Sequence, residues 1–204
     1  MITLIDYGGS NLRSVQKALE FVGADICVAT GGEEIARAEN LIVPGVGAFG
    51  AGMNALRERE MVHAIREQAA KGVRLLGICL GMQLLFEHGE EMGQHNGLGL
   101  IEGCVERFPA AGPKIPHMGW NQVEHDGSHR LLDGVQPGAY AYFVHSYFCR
   151  PADPGVVIAQ ADYGGRFAAI IARDNIYGIQ FHPEKSQEVG LKVLRNFVEM
   201  SEAT

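Results

Sequence analysis

The sequence predicts an α/β protein built on an open mixed sheet with helices on both faces. In the first half of the 204-residue chain, short apolar runs alternate with segments of helical periodicity. Strands separated by helices imply right-handed parallel crossovers, which place helices on the two faces of one sheet. The second half carries strand-like runs separated by turn signals, so we expect antiparallel additions to a parallel core. We see no repeat or linker, and we predict a single domain over residues 1–204.

Apolar spacing locates the elements of the first half. The predicted strands cover residues 2–5, 26–29, 40–43 and 73–78. The predicted helices cover residues 11–22, 53–70 and 80–86. Ser10 is a candidate N-cap for the first helix, and Gly72 is a stop signal for the second.

The second half is dominated by strand signals. The six predicted strands cover residues 100–108, 120–123, 140–148, 156–161, 167–172 and 176–181. Turn pairs such as Asp126-Gly127 and Gly164-Gly165 separate them. A final helix is predicted at residues 186–200, where apolar side chains share one face.

Composition and charge exclude several classes of protein. A chain with 47% hydrophobic and 20% charged residues is not of the disordered type. The uncharged apolar stretch at residues 75–86 has 12 residues, too few to span a bilayer. A net charge of −7 argues against binding to nucleic acid or to a membrane surface. The four cysteines form no C-x-x-C pair and the chain shows no export signal, so we expect reduced thiols in a cytoplasm.

The clearest chemical signal is Gly77-Ile78-Cys79-Leu80-Gly81, where a buried strand turns into a helix. It matches the nucleophile-elbow pattern, with cysteine in place of serine. The glycines permit a tight turn that exposes Cys79 at the carboxyl end of the sheet, where open α/β folds bind ligands. The amide of Leu80 is then a natural oxyanion donor. The alternative is a buried cysteine in a glycine-rich turn.

A candidate base follows the last predicted strand, in His182-Pro183-Glu184. Residues two apart in an extended segment point to the same side, so Glu184 is placed to bond one nitrogen of His182. The other nitrogen is then available to a thiol. The alternative is a histidine at a strand end beside a solvated glutamate. The cysteine elbow favours the first interpretation, because nucleophile, base and orienting acid then occur together.

The glycine-rich segment 44–50 contains G-x-G-x-x-G, so a dinucleotide site must be considered. Its strand is the third in the chain, and the next strand ends at Cys79 instead of a ribose-binding acid. We interpret it as a loop whose amides complete an oxyanion hole, the alternative being glycine required by sterics alone.

Three further groups carry weaker signals. His125 and His129 are separated by Asp126-Gly127, which favours a solvated loop over a metal site. Residues 87–91 indicate a charged surface turn. Segment 114–121 carries the single tryptophan, Trp120, which is typical of a partner surface or, more often, of a core. We predict no metal site.

The residues from Gly77 to Gln83, together with His182-Pro183-Glu184, resemble the class I (triad) glutamine amidotransferases. Within that class, segments 6–12, 44–50, 114–121 and 142–147 resemble the glutaminase subunits of imidazole glycerol phosphate synthases, which act in histidine biosynthesis. The similarity extends from residue 2 to about residue 197.

The resemblance implies a flavodoxin-like α/β glutaminase without a cofactor. Cys79 would attack the carboxamide of glutamine, and His182 and Glu184 would complete the triad. The implied oxyanion donors are the amides of Gly47 and Leu80, and a peptide rotation in loop 45–47 is a hypothesis for switching them. The residues implied to hold glutamine are Gly45, Val46, Gln83, His145, Ser146 and Tyr147.

The resemblance also implies an obligate heterodimer. The partner would be a (β/α)8 cyclase subunit that binds the phosphosugar, receives ammonia inside the complex, and yields imidazole glycerol phosphate and AICAR. The residues implied to face it are Lys114, Pro116, His117, Met118, Trp120, Asn121 and Lys185. The alternatives are a glutaminase subunit of another synthase, a cysteine peptidase or deglycase on a similar fold, and a non-catalytic binding module.

Overall fold

The structure, a computed structural model, describes residues 1–9 and 11–202. The strands are β1 (Ile2–Ile5), β2 (Ile26–Ala29), β3 (Asn40–Val43), β4 (Arg74–Ile78), β5 (Phe86–Gly89), β6 (His95–Asn96), β7 (Ile101–Arg107), β8 (His117–Val123), β9 (Ala139–His145), β10 (Tyr147–Pro151), β11 (Val157–Asp162), β12 (Arg166–Arg173) and β13 (Ile176–Ile179). The helices are α1 (Leu12–Phe21), α2 (Gly32–Ile35), α3 (Phe49–Glu58), α4 (Met61–Ala70), α5 (Leu80–Leu84) and α6 (Gln187–Glu202). The predicted N-cap, Ser10, lies outside the described residues.

A seven-stranded sheet in the order β11-β12-β13-β4-β3-β1-β2 forms the centre of the molecule. The five strands from β13 to β2 are parallel. At the other end of the sheet, β12 runs antiparallel to β13, and β11 runs antiparallel to β12. The predicted fold class, an open mixed sheet with a parallel core and antiparallel additions, is therefore confirmed.

The inner parallel strands β1, β3, β4 and β13 are buried on both faces because helices cover each side, whereas the edge strand β2 is partly exposed. On one face, Leu4 and Ile42 belong to a core that includes Leu19 of α1 and Phe197 of α6. On the other face, Leu41 and Val43 belong to a second core with residues of α3 and α4. Successive side chains of β3 thus alternate between two cores, which explains the uninterrupted apolar run at residues 41–43.

Most of the predicted second-half strands do not extend this sheet as antiparallel members, and that prediction is wrong for them. Strand β13 lies parallel to β4 inside the sheet. Strands β5, β6, β7 and β10 form a second sheet, and β8 and β9 form a two-stranded ribbon. The predicted strand 140–148 is divided at Ser146, because β9 pairs with β8 whereas β10 pairs with β7. Strands β5 and β6 were not predicted from the sequence.

Two predicted helices have different bounds in the structure. The single helix at 53–70 is two helices, α3 and α4, separated at Arg59 and Glu60. Glu60 adopts a left-handed conformation with φ 56°, which ends one helix axis and starts another. Apolar residues keep helical spacing on both sides, so the periodicity does not reveal the break. The helix after Cys79 ends at Leu84, and Phe86 already belongs to β5.

Candidate active site

Cys79 occupies a strained turn between β4 and α5. Its backbone has φ 53° and ψ −108°, a conformation rarely adopted by residues with a side chain. A Cβ on Gly77 would lie 2.5 Å from the carbonyl oxygen of Gly81, and one on Gly81 would overlap the carbonyl oxygen of Val43. Glycine is therefore required on both sides of Cys79 because the chain segments approach too closely for any other residue.

We expect Gly81→Ala to destabilise the fold by at least about 3 kcal/mol, because the new methyl group collides with backbone of β3 that cannot move away. Gly31→Ala is the matched control, since a Cβ there meets only the end of the Glu34 side chain at 3.9 Å. Urea unfolding of both variants measures the difference. Equal stabilities would contradict this account of the turn.

Parallel pairing brings His182 to the same edge of the sheet as Cys79. Ile179 of β13 pairs with Ile78 of β4, and the Cys79 amide donates to the Ile179 carbonyl at 2.7 Å. Cys79 and His182 follow these paired residues and both line one cavity of about 300 Å³. Cys79 is 6% exposed and His182 is 1% exposed. The thiol and the imidazole, 103 positions apart, thus share a single crevice.

Glu184 bonds the histidine as the spacing predicts. His182 Nδ1 and Glu184 Oε1 lie 2.8 Å apart, and each side chain is 1% exposed. Burial opposes charge on His182, but its interactions with Cys79 and Glu184 prevail and raise the pKa of His182 to about 10. Burial likewise opposes charge on Glu184, yet the bond to His182 leaves the pKa of Glu184 below its ordinary value. The site therefore favours an imidazolium held by a carboxylate.

The second nitrogen of His182 is the one available to the thiol. Among the described residues, Nε2 has no hydrogen-bond partner, while Cys79 is near enough for its interaction with the ring to help raise the pKa of His182. Catalytic hydrogen bonds are often long before substrate binds.

Asn11 is a site residue that the sequence analysis did not identify. Its Nδ2 donates to Glu184 Oε1 at 2.7 Å across 173 positions of the chain. Asn11 precedes α1 with φ 80°, a left-handed conformation that asparagine tolerates better than most residues. This conformation directs the start of α1 against the Glu184 carboxylate, and no local sequence signal reveals the contact.

The proposed oxyanion loop lies against the elbow in a closed arrangement. The Leu80 amide donates to the Gly45 carbonyl at 3.3 Å, so it is already engaged. Gly47 has φ 108°, which glycine adopts readily. The Tyr7 hydroxyl donates to the Pro44 carbonyl at 2.8 Å, and burial followed by the nearness of Cys79 raises the pKa of Tyr7. Tyr7 was also missed, although it holds the start of this loop.

The residues implied to hold glutamine surround the cavity with one exception. Those that line it are Val46, Gln83, His145, Ser146 and Tyr147. Gly45 does not line the cavity, and its Cβ position is occupied by the Tyr7 hydroxyl. Gln83 Nε2 donates to the Tyr147 carbonyl at 3.0 Å and to Gln180 Oε1 at 3.2 Å.

Glu91 is a further residue of the cavity wall. Its Oε2 accepts a hydrogen bond from the Phe49 amide at 2.8 Å, at the start of α3. The prediction that residues 87–91 form a charged surface turn is wrong, because Phe86–Gly89 is a strand that pairs with β6 and β7. Pairing of β5 carries Glu91 into the site, and sequence spacing gave no sign of it.

The residues implied to face a partner divide into two groups. Lys114, Pro116, Met118, Trp120 and Lys185 are exposed, with Met118 at 62% and Trp120 at 47%. Asn121 is half-buried, and His117 is buried beneath them. Trp120 therefore does not belong to the core. Its ring meets that of Tyr142 edge-on at 6.0 Å, and Lys185 Nζ lies 5.9 Å from the same Tyr142 ring.

Three further observations concern the part of the chain that the structure describes. Among residues 1–9 and 11–202, no group of three or more His, Cys, Asp or Glu side chains is arranged to hold a metal ion. Within the same ranges, no helix is both long and apolar enough to cross a membrane. Cys27, Cys79, Cys104 and Cys149 are unpaired.

Comparison with known proteins identifies the family to which the chain belongs. Residues 3–200 match the family described as glutamine amidotransferase class-I. The imidazole glycerol phosphate synthase subunit HisH of Desulfitobacterium hafniense (strain Y51) is 50% identical over 197 residues, covering 97% of this chain and 93% of the relative. The imidazole glycerol phosphate synthase subunit HisH of Moorella thermoacetica is 51% identical over 199 residues, covering 98% of this chain and 94% of the relative.

Solved structures agree on the fold. A glutamine amidotransferase crystal structure superposes with a TM-score of 0.78 at 21% identity and covers all of both chains. PurLQS from Thermotoga maritima superposes with a TM-score of 0.78 at 22% identity, covering 98% of this chain and 97% of that one. The chain is thus an enzyme of the class I glutamine amidotransferase family, in the group of the imidazole glycerol phosphate synthase subunits HisH.

Proposed function

We propose that this chain hydrolyses glutamine to glutamate and ammonia through a Cys79–His182–Glu184 triad. The observation that carries the proposal is the shared crevice, in which the thiol of Cys79 and an imidazole oriented by a buried carboxylate both line one cavity. A raised His182 pKa favours the imidazolium, and an imidazolium stabilises the thiolate that is the nucleophile. The domain over residues 1–204 acts as one unit in the cytoplasm, as the sequence predicts.

The reaction proceeds in two halves. The Cys79 thiolate attacks the carboxamide carbon, and His182 Nε2 gives its proton to the amide nitrogen as the C–N bond breaks. Ammonia leaves and a glutamyl thioester remains. Water then attacks the thioester carbonyl, His182 takes the proton of that water, and the C–S bond breaks to restore the thiolate. Glu184 keeps the His182 ring oriented throughout, and it fixes the hydrogen on Nδ1 while the ring is neutral.

The lining of the cavity favours a free amino acid over a peptide. Glu91 places a carboxylate at the wall, which suits the α-ammonium group of free glutamine. A glutamine residue inside a peptide has no such charge. This observation favours a glutaminase over a cysteine peptidase.

The oxyanion hole requires a change in the loop. Gly47 and Leu80 are the proposed donors, yet the Leu80 amide is occupied by the Gly45 carbonyl. A peptide rotation within residues 45–47 would withdraw that carbonyl and present an amide in its place. We propose that ligand binding at the partner shifts the population toward the open arrangement.

The proposed partner is a (β/α)8 cyclase subunit that uses the ammonia to form imidazole glycerol phosphate and AICAR. The exposed side chains of Met118 and Trp120 supply the apolar, aromatic surface typical of an interface core. Lys114, Pro116, Asn121 and Lys185 are proposed to surround it. Ammonia travels within the complex because in bulk water it would become protonated and lose its nucleophilic lone pair.

Glutamine hydrolysis by the complex with the cyclase subunit tests the proposal. We expect turnover of glutamine, none of peptides or glyoxal adducts, and stoichiometric labelling of Cys79 by a glutamine-like electrophile. Turnover of peptides or adducts instead would show a peptidase or deglycase. Turnover with an anthranilate or pyridoxal phosphate synthase partner, and none with the cyclase, would show another synthase.

Asn11→Gly tests the support of the triad acid. Glycine accepts the left-handed backbone at this position but removes the donor to Glu184. Because a hydrogen bond to a charged group is lost, we expect kcat/KM for glutamine to fall about 10- to 100-fold. Asp174→Gly, at another left-handed position with φ 53°, is the control and should retain full activity. A folded Asn11→Gly with wild-type kcat/KM would remove Asn11 from the site.

A further inference from the structure

A second pair of buried histidines lies beside the triad and has no part in the proposed acyl transfer. His117 Nδ1, in β8, and His145 Nε2, at the end of β9, are 3.1 Å apart. His145 Nδ1 lies 2.8 Å from the carbonyl oxygen of Tyr147. At the other end, Asn121 Nδ2 lies 3.3 Å from His117 Nε2. The four ring nitrogens therefore belong to one chain of hydrogen bonds.

The ends of this chain determine the direction of every bond in it. A carbonyl oxygen only accepts, so His145 Nδ1 carries a hydrogen. The Asn121 amide is oriented by backbone, since its Oδ1 accepts from the Gln122 amide and its Nδ2 donates to the Asp162 carbonyl, both at 2.8 Å. Asn121 thus donates to His117 Nε2, and His117 Nδ1 donates to His145 Nε2. Both rings are neutral.

Neither ring can gain a second proton without losing a bond. A hydrogen on His117 Nε2 would face a hydrogen of the Asn121 Nδ2 group. A hydrogen on His145 Nε2 would face the hydrogen on His117 Nδ1. Burial acts in the same direction and lowers the pKa of His117 to about 4. Burial is also the largest cause that lowers the pKa of His145 to about 3. Both imidazole rings therefore remain neutral near neutral pH.

The chain ends on the wall of the glutamine cavity. The Tyr147 carbonyl accepts from both His145 Nδ1 and Gln83 Nε2, which uses its two lone pairs. Gln83 Nε2 also donates to Gln180 Oε1, and Gln180 Nε2 lies 3.9 Å from Cys79 Sγ. Residues 144–147 line the cavity where the chain passes from β9 to β10. Backbone bonds hold this wall from the β7 side, because the Phe108 amide donates to the Ser146 carbonyl at 3.1 Å and Tyr147 pairs with Arg107. The Tyr147 carbonyl is held in addition by the side chains of His145 and Gln83.

Packing alone does not account for two imidazoles here. The His117 ring stacks on Tyr163 at 4.0 Å and on Phe143 at 4.9 Å, and Phe108 lies 5.2 Å from the His145 ring. Phenylalanine would satisfy such surroundings without polar atoms, whose burial is unfavourable unless they are bonded. A fully satisfied buried network instead imposes one arrangement on the groups that it joins.

We propose that His117 and His145 are positioning residues that hold the Tyr147 carbonyl, and with it the cavity wall, in the shape that binds glutamine. This inference rests on the proposed glutaminase function. The two rings act through Tyr147 and Gln83 and contact no reacting atom. Their loss should therefore weaken glutamine binding and change the chemical step little.

Two substitutions of His117 separate positioning from packing in the complex with the cyclase subunit. His117→Phe keeps the ring but removes the donor to His145, and we expect KM for glutamine to rise about tenfold with kcat within about twofold of wild type. His117→Asn loses the ring, but its Nδ2 takes the place of Nδ1, so KM should return most of the way to the wild-type value. His129→Phe, away from the cavity lining, is the matched control. A wild-type KM in His117→Phe overturns the proposal, whatever His117→Asn shows.

The wild-type protein gives a second, independent readout. Ring ¹⁵N shifts in NMR spectra should show both histidines neutral with the hydrogen on Nδ1, and a hydrogen on Nε2 of either ring overturns the proposal. This measurement decides the matter if His117→Phe does not fold. An absence of glutamine hydrolysis in the wild-type complex would instead refute the proposed function, while the ring shifts would still report on the pair.

Discussion

Cys79→Ala is expected to abolish glutamine-dependent synthesis in the complex while synthesis from added ammonium salt persists. Removal of the nucleophile should lower glutaminase kcat by a factor on the order of 10⁶, because no other group can form the thioester. Alanine carries the same Cβ as cysteine, so the strained backbone at φ 53° is unchanged and the fold should be retained. Both activities are measured on the same purified complex.

Cys27→Ala is the matched control for this experiment. Cys27 lies in β2, is half-buried and does not line the cavity. It should keep both the glutamine-dependent and the ammonium-dependent synthesis. If a folded Cys79→Ala complex lost both activities, Cys79 would have a role other than nucleophile, and the triad proposal would fail.

Glu184→Gln has the second largest expected effect. Glutamine preserves the size of the side chain and an oxygen for His182 Nδ1, but it removes the buried negative charge. We expect kcat for glutamine hydrolysis to fall about 10²- to 10⁴-fold, because the imidazolium loses the carboxylate that stabilises and orients it. Steady-state kinetics of the complex measure the loss.

The pH profile of the same variant gives the sign of the electrostatic effect. In the wild type, the carboxylate contributes to a His182 pKa of about 10, so the protonated ring persists into alkaline solution. Without that charge the pKa of His182 falls, and the alkaline limb of kcat/KM should move to lower pH. Glu188→Gln, an exposed position at the start of α6, should leave the profile unchanged. An unmoved alkaline limb in Glu184→Gln would mean that Glu184 does not support the charge on His182.

The parallel half of the fold could be predicted because its inner strands, β1, β3, β4 and β13, are buried on both faces. After Asn40, residues 41–43 are apolar at every position, and the bounds of β3 in the structure match the prediction. The strands of the second half are distributed over three sheets. Alternation of apolar and polar residues shows only that a strand exists. Which partner it pairs with depends on residues far along the chain, so the insertion of β13 beside β4 was not predictable from local pattern.

The same distinction applies to the site. By itself the sequence determined the elbow at Cys79 and the two-residue spacing of His182 and Glu184, because both are local backbone patterns whose chemistry follows from neighbouring residues. Only the tertiary structure decided that Asn11 bonds Glu184 across 173 positions, that Glu91 enters the cavity, and that His117 turns inward to His145. These contacts are set by how helices and sheets pack against one another, and the energy of such packing is shared among many residues that no short segment contains.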